Sequence, residues 1–463
     1  MENQELLILG MGICPHKNDG ILRFEQFCKV LDLPYMLVGE GGVWTGGDMA
    51  AGQGGGQKIN ELVRALDKIK ENKLIVVCDT FDLFPIAGAH EIINKFNMLC
   101  TPDKIIFSSE IYCWPDKSLE ALYPPATDSK YKFLCSGTFM GYRDTLYNLV
   151  KDVSVNNEDD DQLFYTKKFL DSSNILLDNK CELFQALNGV HDDVIFYRNR
   201  IYNKYTKSYP VFLHGNGGAK SFLNQIENYV DPNPNTQYYG CVKIDHHQKS
   251  DYKVTPKVFM AAYIDSSKFS DFDLFLGHLV DINYSNRQVY IYDSNQSEIV
   301  ENLVQAGNFI YKPYTSAYTY DDFLESDCEY YFLLEQKCII TNKNIINELL
   351  PLCGRKRVFA PLLKGKDKTH FTNFWGDIDQ NEYYKRSNDY FSLIEYEKRG
   401  FWNAPYVGGA IFIRRDVIEN FDLCAPNRFS NTDIDMALCH NLRKYTIFMY
   451  MTNLNNYGYL NIE

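Results

Sequence analysis

The sequence predicts an α/β protein made of two tandem Rossmann-like domains. Three observations carry this expectation. Strand and helix signals alternate along the chain, a proline–asparagine break divides it near its middle, and one strand-to-helix stretch recurs in outline on each side of that break.

The first half opens on the apolar run Leu6–Leu9, which reads as a buried strand, and Arg23–Leu31 reads as a helix. Ile59, Leu62, Val63, Leu66 and Ile69 recur at helical spacing and predict an amphipathic helix. Leu74-Ile75-Val76-Val77-Cys78 follows as a run of buried-strand type. Such alternation implies a mostly parallel sheet with helices on its faces and ligands beyond the carboxyl ends of the strands. Asp231-Pro-Asn-Pro-Asn-Thr236 suits neither helix nor strand interiors, so the expected domains are residues 1–233 and 234–463. In the second half Val258–Ile264, Gln288–Tyr292, Tyr330–Leu334 and Arg357–Leu362 read as strands and Asn342–Leu350 as a helix. Gly137-Thr-Phe-Met-Gly-Tyr-Arg143-Asp144 is echoed by Gly409-Ala-Ile-Phe-Ile-Arg-Arg415-Asp416. Each is followed, 23 or 24 residues after its glycine, by an acidic helix start, Asp160-Asp161 and Asp433-Ile-Asp435. Two related domains in tandem are inferred.

Composition narrows the function. Of 463 residues, 45% are hydrophobic and 23% charged, which is ordinary for a folded chain and excludes disorder as the main state. The formal charge of −13 excludes a protein that depends on attraction to nucleic-acid phosphates. No stretch approaches the roughly 18 apolar residues that a membrane span needs. Met1–Glu5 lacks the basic start of a secretory signal, so no route into a secretory compartment is expected. The 13 cysteines include no CxxC pair and are expected to be mostly buried, reduced thiols.

Five segments carry candidate chemistry. In Cys78-Asp79-Thr80-Phe81-Asp82, two carboxylates follow a buried strand, where a hard cation would sit; a pair of turn or N-cap aspartates is the alternative. His214-Gly-Asn216-Gly217-Gly-Ala-Lys220 offers glycine backbone and a lysine to an anion, and a nitrogen ligand that favours Mn²⁺ over Mg²⁺; a surface turn would look the same. Gly54-Gly-Gly-Gln57-Lys58 at a helix start suggests an anion site or a flexible turn. Glu158-Asp159-Asp160-Asp161 exceeds what helix capping needs, and points to a cation, sugar hydroxyls or a catalytic task. Ser109-Glu110 leads into Trp114-Pro115, where an indole could stack on a sugar or fill a core. Together these suggest a divalent metal, a diphosphate neutralised by the metal with Lys58 and Lys220, and a sugar platform. That set belongs to nucleotide-sugar transfer on a GT-A type fold.

The motifs also resemble a family. Trp44-Thr-Gly-Gly-Asp48, Gly54-Gly-Gly-Gln-Lys58, Asp79-Thr-Phe-Asp82, Trp114-Pro115, Asp159-Asp-Asp-Gln-Leu-Phe-Tyr165, Leu187-Asn-Gly189 and His214-Gly-Asn-Gly217 are similar, in order, to the glycosyltransferase domain of the multifunctional procollagen lysyl hydroxylases. Asn373-Phe-Trp-Gly376, Glu382-Tyr-Tyr384, Trp402-Asn-Ala-Pro-Tyr406 and Asp433-Ile-Asp-Met-Ala437 resemble that family's accessory domain, also GT-A-like. The resemblance implies transfer of glucose from UDP-glucose, with retention, to galactosyl-hydroxylysine of collagen. It places the metal, Mn²⁺, on Asp79, Asp82 and His214, and uracil on Phe81, where the family has tyrosine. It places Trp44, Lys58, Asn216, Gly217 and Lys220 in the UDP-contacting region. It implicates Trp114, Asp160 and Asp161 in transfer, with Glu110 nearby. Cys135 departs from the family's asparagine. Glu335-Gln336-Lys337 stands where the accessory domain has Asp-x-Asp, so the second domain is expected to be degenerate and to bind no catalytic metal. No counterpart of the hydroxylase domain is found, and hydroxylation is not expected. The competing expectations are a UDP-galactose:hydroxylysine galactosyltransferase and a collagen-binding module without turnover.

Overall fold

The computed structural model describes residues 5–462, apart from 50–51, 125–128, 198–199, 231–254, 268, 296, 299, 302–303, 305–308, 315–317 and 368–369. The Asp231–Thr236 break lies outside the described residues. The chain forms two compact units, one over residues 1–226 and one over residues 237–463, which also includes Glu227–Tyr229.

In the first unit the elements in order are β1 Leu6–Cys14, α1 Asp19–Val30, β2 Tyr35–Glu40, α2 Gly56–Lys68, β3 Leu74–Asp79, β4 Leu83–Pro85, α3 Ala89–Leu99, β5 Ile105–Glu110 and β6 Phe133–Tyr142. They continue with α4 Arg143–Val150, α5 Asp161–Asp171, β7 Ile175–Leu177, β8 Phe184–Ala186, the hairpin β9 Val194–Tyr197 and β10 Arg200–Asn203, β11 Phe212–His214 and α6 Lys220–Glu227. Helix α1 starts four residues before its apolar pattern because the Asn18 side chain accepts a hydrogen bond from the Ile21 amide. The main sheet has the order β2-β1-β3-β6-β5-β7, and β6 alone runs against the rest. Side chains alternate across it. Leu74, Val76 and Cys78 pack with Phe24, Ile92 and Phe96 of α1 and α3, while Ile75 and Val77 pack with Ile59, Leu62 and Leu66 of α2.

The second unit repeats this plan. Its sheet has the order 310–313, 287–293, 258–264, 330–335, 410–414, 358–361, 449–452, 401–404. The six strands from 287–293 to 449–452 reproduce the first sheet's directions, with Ala410–Arg414 in the place of β6. The recurring stretch therefore has a structural meaning. In each unit it is the strand antiparallel to the central one, turning into a helix at Arg143 or Arg415. In each, an aspartate then caps a later helix, Asp160 for α5 and Asp433 for Ile434–Lys444. The expected helix Asn342–Leu350 is shorter: α-helix spans Ile345–Leu349 and tightens into a 3₁₀ turn, Leu350–Leu352, at Pro351, which has no amide to continue it. Every described cysteine is a free thiol. Among the described residues no helix is long and apolar enough to cross a membrane.

Candidate active site

The site is assembled where β3 ends. Asp79 is the last residue of β3, and the Thr80 hydroxyl donates to the Met11 carbonyl (2.7 Å), which fixes the turn against β1. The chain re-enters as β4, which pairs antiparallel with β11 so that Leu83 faces His214. The Gly215 amide donates to the Asp82 carbonyl (2.8 Å). This register brings Asp79, Asp82 and His214 together, with one ligand atom of each within 4.8 Å of the others. His214 Nε2 lies 3.5 Å from Asp82 Oδ1 and 4.0 Å from Asp79 Oδ2. Behind the imidazole lies Gly137 of β6, where a Cβ would stand 2.2 Å from the ring. Any larger residue there would push His214 away.

Two oxygen donors and one nitrogen suit a divalent metal ion. Lys220 Nζ lies 3.5 Å from Asp82 Oδ2. Burial alone would raise the Asp82 carboxyl; Lys220 and His214 outweigh it and hold the group well below the usual carboxylate range. Burial raises Asp79 above its usual value in spite of Lys58. Burial disfavours an imidazolium at His214, but the Asp82 hydrogen bond and the contact with Cys135 raise its pKa well above the ordinary value.

Lys58 and the acidic helix start form a second layer. Lys58 Nζ lies 2.7 Å from Asp161 Oδ2 and 3.2 Å from Asp79 Oδ1, so it joins the helix start to the end of β3. Asp160 caps α5 by accepting from the Leu163 amide (2.7 Å), and Asp159 accepts from the Asn156 amide (2.7 Å). Capping and turn formation thus account for two of the four acids, and Asp161 is committed to Lys58. The glycine run, expected as an anion site or a flexible turn, packs against the acidic segment. The amides of Gly56 and Gln57 donate to the carbonyls of Asp159 and Asn157 (2.7 and 3.0 Å), and the Asp161 amide donates to Gly54 (3.1 Å). Gly55, at φ +107°, would place a Cβ 2.5 Å from Asp161 Oδ1. The glycines therefore let the acidic segment dock on the start of α2.

Glu110, at the end of β5, is buried and accepts from Gln162 Nε2 (2.8 Å) and Asn216 Nδ2 (2.9 Å). Asn216 Oδ1 in turn accepts from the Leu187 and Asn188 amides (3.1 and 3.0 Å), and Gly217, at φ +55°, faces Asn188. Gln162 Nε2 also donates to the carbonyl of Trp114 (3.3 Å), whose side chain is 52% exposed. Cys135 Sγ lies 3.7 Å from His214 Nδ1. Phe81 is held through its carbonyl by the buried Arg23 (3.4 Å). Trp44 lies on the loop before α2 and donates to the Gly47 carbonyl (2.7 Å). Sequence reading passed over Gln162, Ser136 and Arg23. Only the acids of the Asp-Asp-Asp-Gln segment stood out, although Gln162 links Glu110, Trp114 and Ser136.

Burial pushes Glu110 up to about 7, against the two amides that favour its charged form. A carboxyl raised above its unfolded value of 4.5 stabilises the fold fully below pH 4.5, and that contribution is lost as pH rises through 7. Relative to Glu110→Gln, the wild type is expected to lose about 3 kcal/mol of unfolding free energy across that window. Urea titrations of both proteins at pH 5 and 8 check this, and parallel curves would refute it.

Residues 2–241 match the PLOD GT domain family, just over half the chain. The chain belongs to the PLOD GT-domain family. Residues 269–463 match the N-terminal domain of glycosyltransferase family 25. Among its relatives, the uncharacterized protein R699 of Acanthamoeba polyphaga mimivirus is 48% identical over 99% of this chain and 98% of its own. Procollagen-lysine,2-oxoglutarate 5-dioxygenase 1 of Gallus gallus is 32% identical over 99% of this chain and 66% of its own. The multifunctional procollagen lysine hydroxylase and glycosyltransferase LH3 of Homo sapiens is 31% identical over 99% and 65%. The chain thus spans about two thirds of the length of those two proteins.

This PLOD-type glycosyltransferase consists of two tandem GT-A-type, Rossmann-like domains. In the second, Glu335 ends the central strand as Asp79 does, and Asp435 lies in the first turn of the helix capped by Asp433. Lys337 Nζ lies 2.5 Å from Glu335 Oε2 and 3.6 Å from Asp435 Oδ2, and the Tyr318 hydroxyl lies 2.6 and 2.8 Å from the same two carboxyls. Burial and Glu335 push Asp435 up to about 7 in spite of Lys337. A carboxylate–ammonium–carboxylate bridge thus occurs in both domains, with the lysine drawn from α2 in one and from just after the central strand in the other. Among the described residues, Asp79, Asp82 and His214 form the one cluster with the spacing of a three-ligand metal site.

Proposed function

We propose that this protein transfers glucose from UDP-glucose to galactosyl-hydroxylysine in collagen or a collagen-like protein, with retention and with Mn²⁺ at Asp79, Asp82 and His214. The observation that carries the reading is the meeting of those three ligands, His214 buried and the two carboxylates mostly so, beside Lys220 and one lysine away from Asp161. Relatives whose names record procollagen lysine modification and glycosyl transfer support the acceptor class.

A cation on Asp79, Asp82 and His214 supplies charge neutralisation for the leaving diphosphate. Lys220, exposed at the start of α6, adds a second positive charge at the same end of the site. The bond from the glucose anomeric carbon to the diphosphate oxygen breaks, and a bond from that carbon to the galactose 2-hydroxyl oxygen forms on the same face. The hydroxyl proton passes to the departing phosphate oxygen, so no base on the opposite face is needed. Asp161, held by Lys58 and by the Ser136 hydroxyl (3.3 Å), and Asp160 beside it orient the acceptor or stabilise the positive charge that develops on the sugar. Phe81, Trp44, Asn216 and Gly217 line the donor's nucleotide, and Trp114 and Glu110 serve the sugar end.

The test is incubation with Mn²⁺, a galactosyl-hydroxylysine collagen peptide and either UDP-glucose or UDP-galactose, following UDP release and peptide mass. A hexose gained only from UDP-glucose is expected. Transfer from UDP-galactose to a plain hydroxylysine peptide would move the assignment to the earlier step, and no transfer would favour a binding module. The Lys337 bridge supports a second domain without a metal. Manganese titration followed by paramagnetic resonance is then expected to count one tight site per chain, lost in Asp82→Asn. A tight site that survives that substitution would place metal in the second domain.

A further inference from the structure

The first turn of α2 holds more than Lys58. Gln57, next to it, is buried, and its amide grips the loop that carries Trp44. Gln57 Oε1 accepts from the Thr45 amide (2.6 Å) and the Thr45 hydroxyl (3.2 Å), while Nε2 donates to the Val43 carbonyl (2.9 Å). A side-chain amide that meets a backbone N–H and a backbone C=O at once has one workable orientation, so the contact sets position as well as adding stability. The Thr45 hydroxyl also accepts from Asn157 Nδ2 (2.8 Å), and the Gly55 amide donates to the Gly46 carbonyl (2.9 Å). The Gln57 backbone N–H donates to the Asn157 carbonyl (3.0 Å). One turn of helix therefore joins three segments: the Trp44 loop, the glycine run and the acidic segment that ends in Asp161. Val43, Thr45 and Met49 are exposed on this loop, so the buried partner that fixes it is the Gln57 side chain.

We infer that Gln57 is a positioning residue for the donor: it holds the Trp44 loop in register with the Lys58–Asp161–Asp79 layer, so that the nucleotide meets a preassembled wall. The inference rests on the proposed UDP-sugar reading. Gln57 touches no reacting atom, and its loss acts on donor affinity before it acts on the chemical step. Leucine keeps the volume and removes all three side-chain bonds; glutamate keeps the acceptor but sets a carboxylate against the Val43 carbonyl.

Two readouts separate the clamp from its consequence. Amide hydrogen exchange at Thr45 is expected to speed up about tenfold or more in Gln57→Leu, as befits the loss of two or three hydrogen bonds of ordinary strength. Calorimetric binding of UDP in Mn²⁺ is expected to weaken by about tenfold, with KM for the donor rising in step and kcat within about threefold. Gln57→Glu should fall between. Thr45→Ala, which removes the hydroxyl shared with Asn157 but leaves the backbone contacts, gives a milder version if the leucine variant fails to fold. Unchanged exchange at Thr45 in folded variants overturns the clamp. Fast exchange with unchanged UDP affinity overturns its role toward the donor. A wild-type protein that binds no UDP at all defeats the parent reading, and the exchange result then stands as a judgement on the clamp alone.

Discussion

Replacing Asp79 and Asp82 together by asparagine is expected to abolish Mn²⁺ binding and to lower turnover by about a thousandfold or more. Asparagine keeps the shape at both positions but removes two negative charges, which leaves His214 and at most two weak amide oxygens for a divalent cation. The fold should survive. Both side chains sit at strand ends rather than in a core cluster, and the turn is held by backbone bonds and by Thr80. Lys58 keeps Asp161 as a partner and Lys220 is exposed, while the buried His214, whose raised pKa depends on Asp82, is expected to shed its proton once that carboxylate is gone. Paramagnetic resonance with Mn²⁺, UDP release and thermal unfolding check the three parts. Full turnover by a variant that no longer binds the metal would remove the cluster from the mechanism.

The second large effect is expected at the acidic helix start. Asp161→Asn should lower turnover by about two to three orders of magnitude while UDP binding changes little. Asp161 is within 2.7 Å of Lys58 and far from exposed, so its charge is both shielded from water and strongly felt nearby. Its neighbour gives the internal control. Asp160 accepts the Leu163 amide as the N-cap of α5, and asparagine caps as well as aspartate, so Asp160→Asn should keep the unfolding temperature. Asp160→Ala should cost roughly 1 kcal/mol of stability. A turnover loss in Asp160→Asn without a stability loss is what the role proposed for it beside Asp161 requires, and wild-type turnover in that variant would confine Asp160 to capping α5. Wild-type turnover in Asp161→Asn would defeat the role proposed for that carboxylate.

These two carboxylates show how much of the site was legible in advance. Two acids three residues apart after a buried strand, and four acids ahead of a helix, stand out in a linear sequence because charge clusters are rare where apolar runs begin or end. Glu110 was singled out only as a neighbour of Trp114. Its burial and its two amide partners come from Gln162 and Asn216, more than fifty and a hundred residues away. The glycine run is legible as glycine-rich, but the sequence leaves open whether it serves an anion or a turn, and the structure adds that it docks the acidic segment. An anion loop and a docking surface both need backbone without Cβ atoms, and only the partners of the amides distinguish them. The two carboxylates that hold Lys58, Asp79 and Asp161, are likewise partners that no local stretch of sequence records.

The sequence by itself determined the alternation of strands and helices, the tandem plan and the family, because these rest on periodicity, on short local runs and on motifs kept in order. Periodicity of 2 or 3.6 is a property of neighbouring residues and survives in one dimension. Only the tertiary structure decided that β6 and its counterpart 410–414 run against their sheets, that Leu83 pairs with His214, and that Asp161 meets Asp79 through Lys58. Those are pairings between segments separated by tens to more than a hundred residues. They are set by which faces bury together and by which charges can be satisfied at once, and no local stretch of the chain records them.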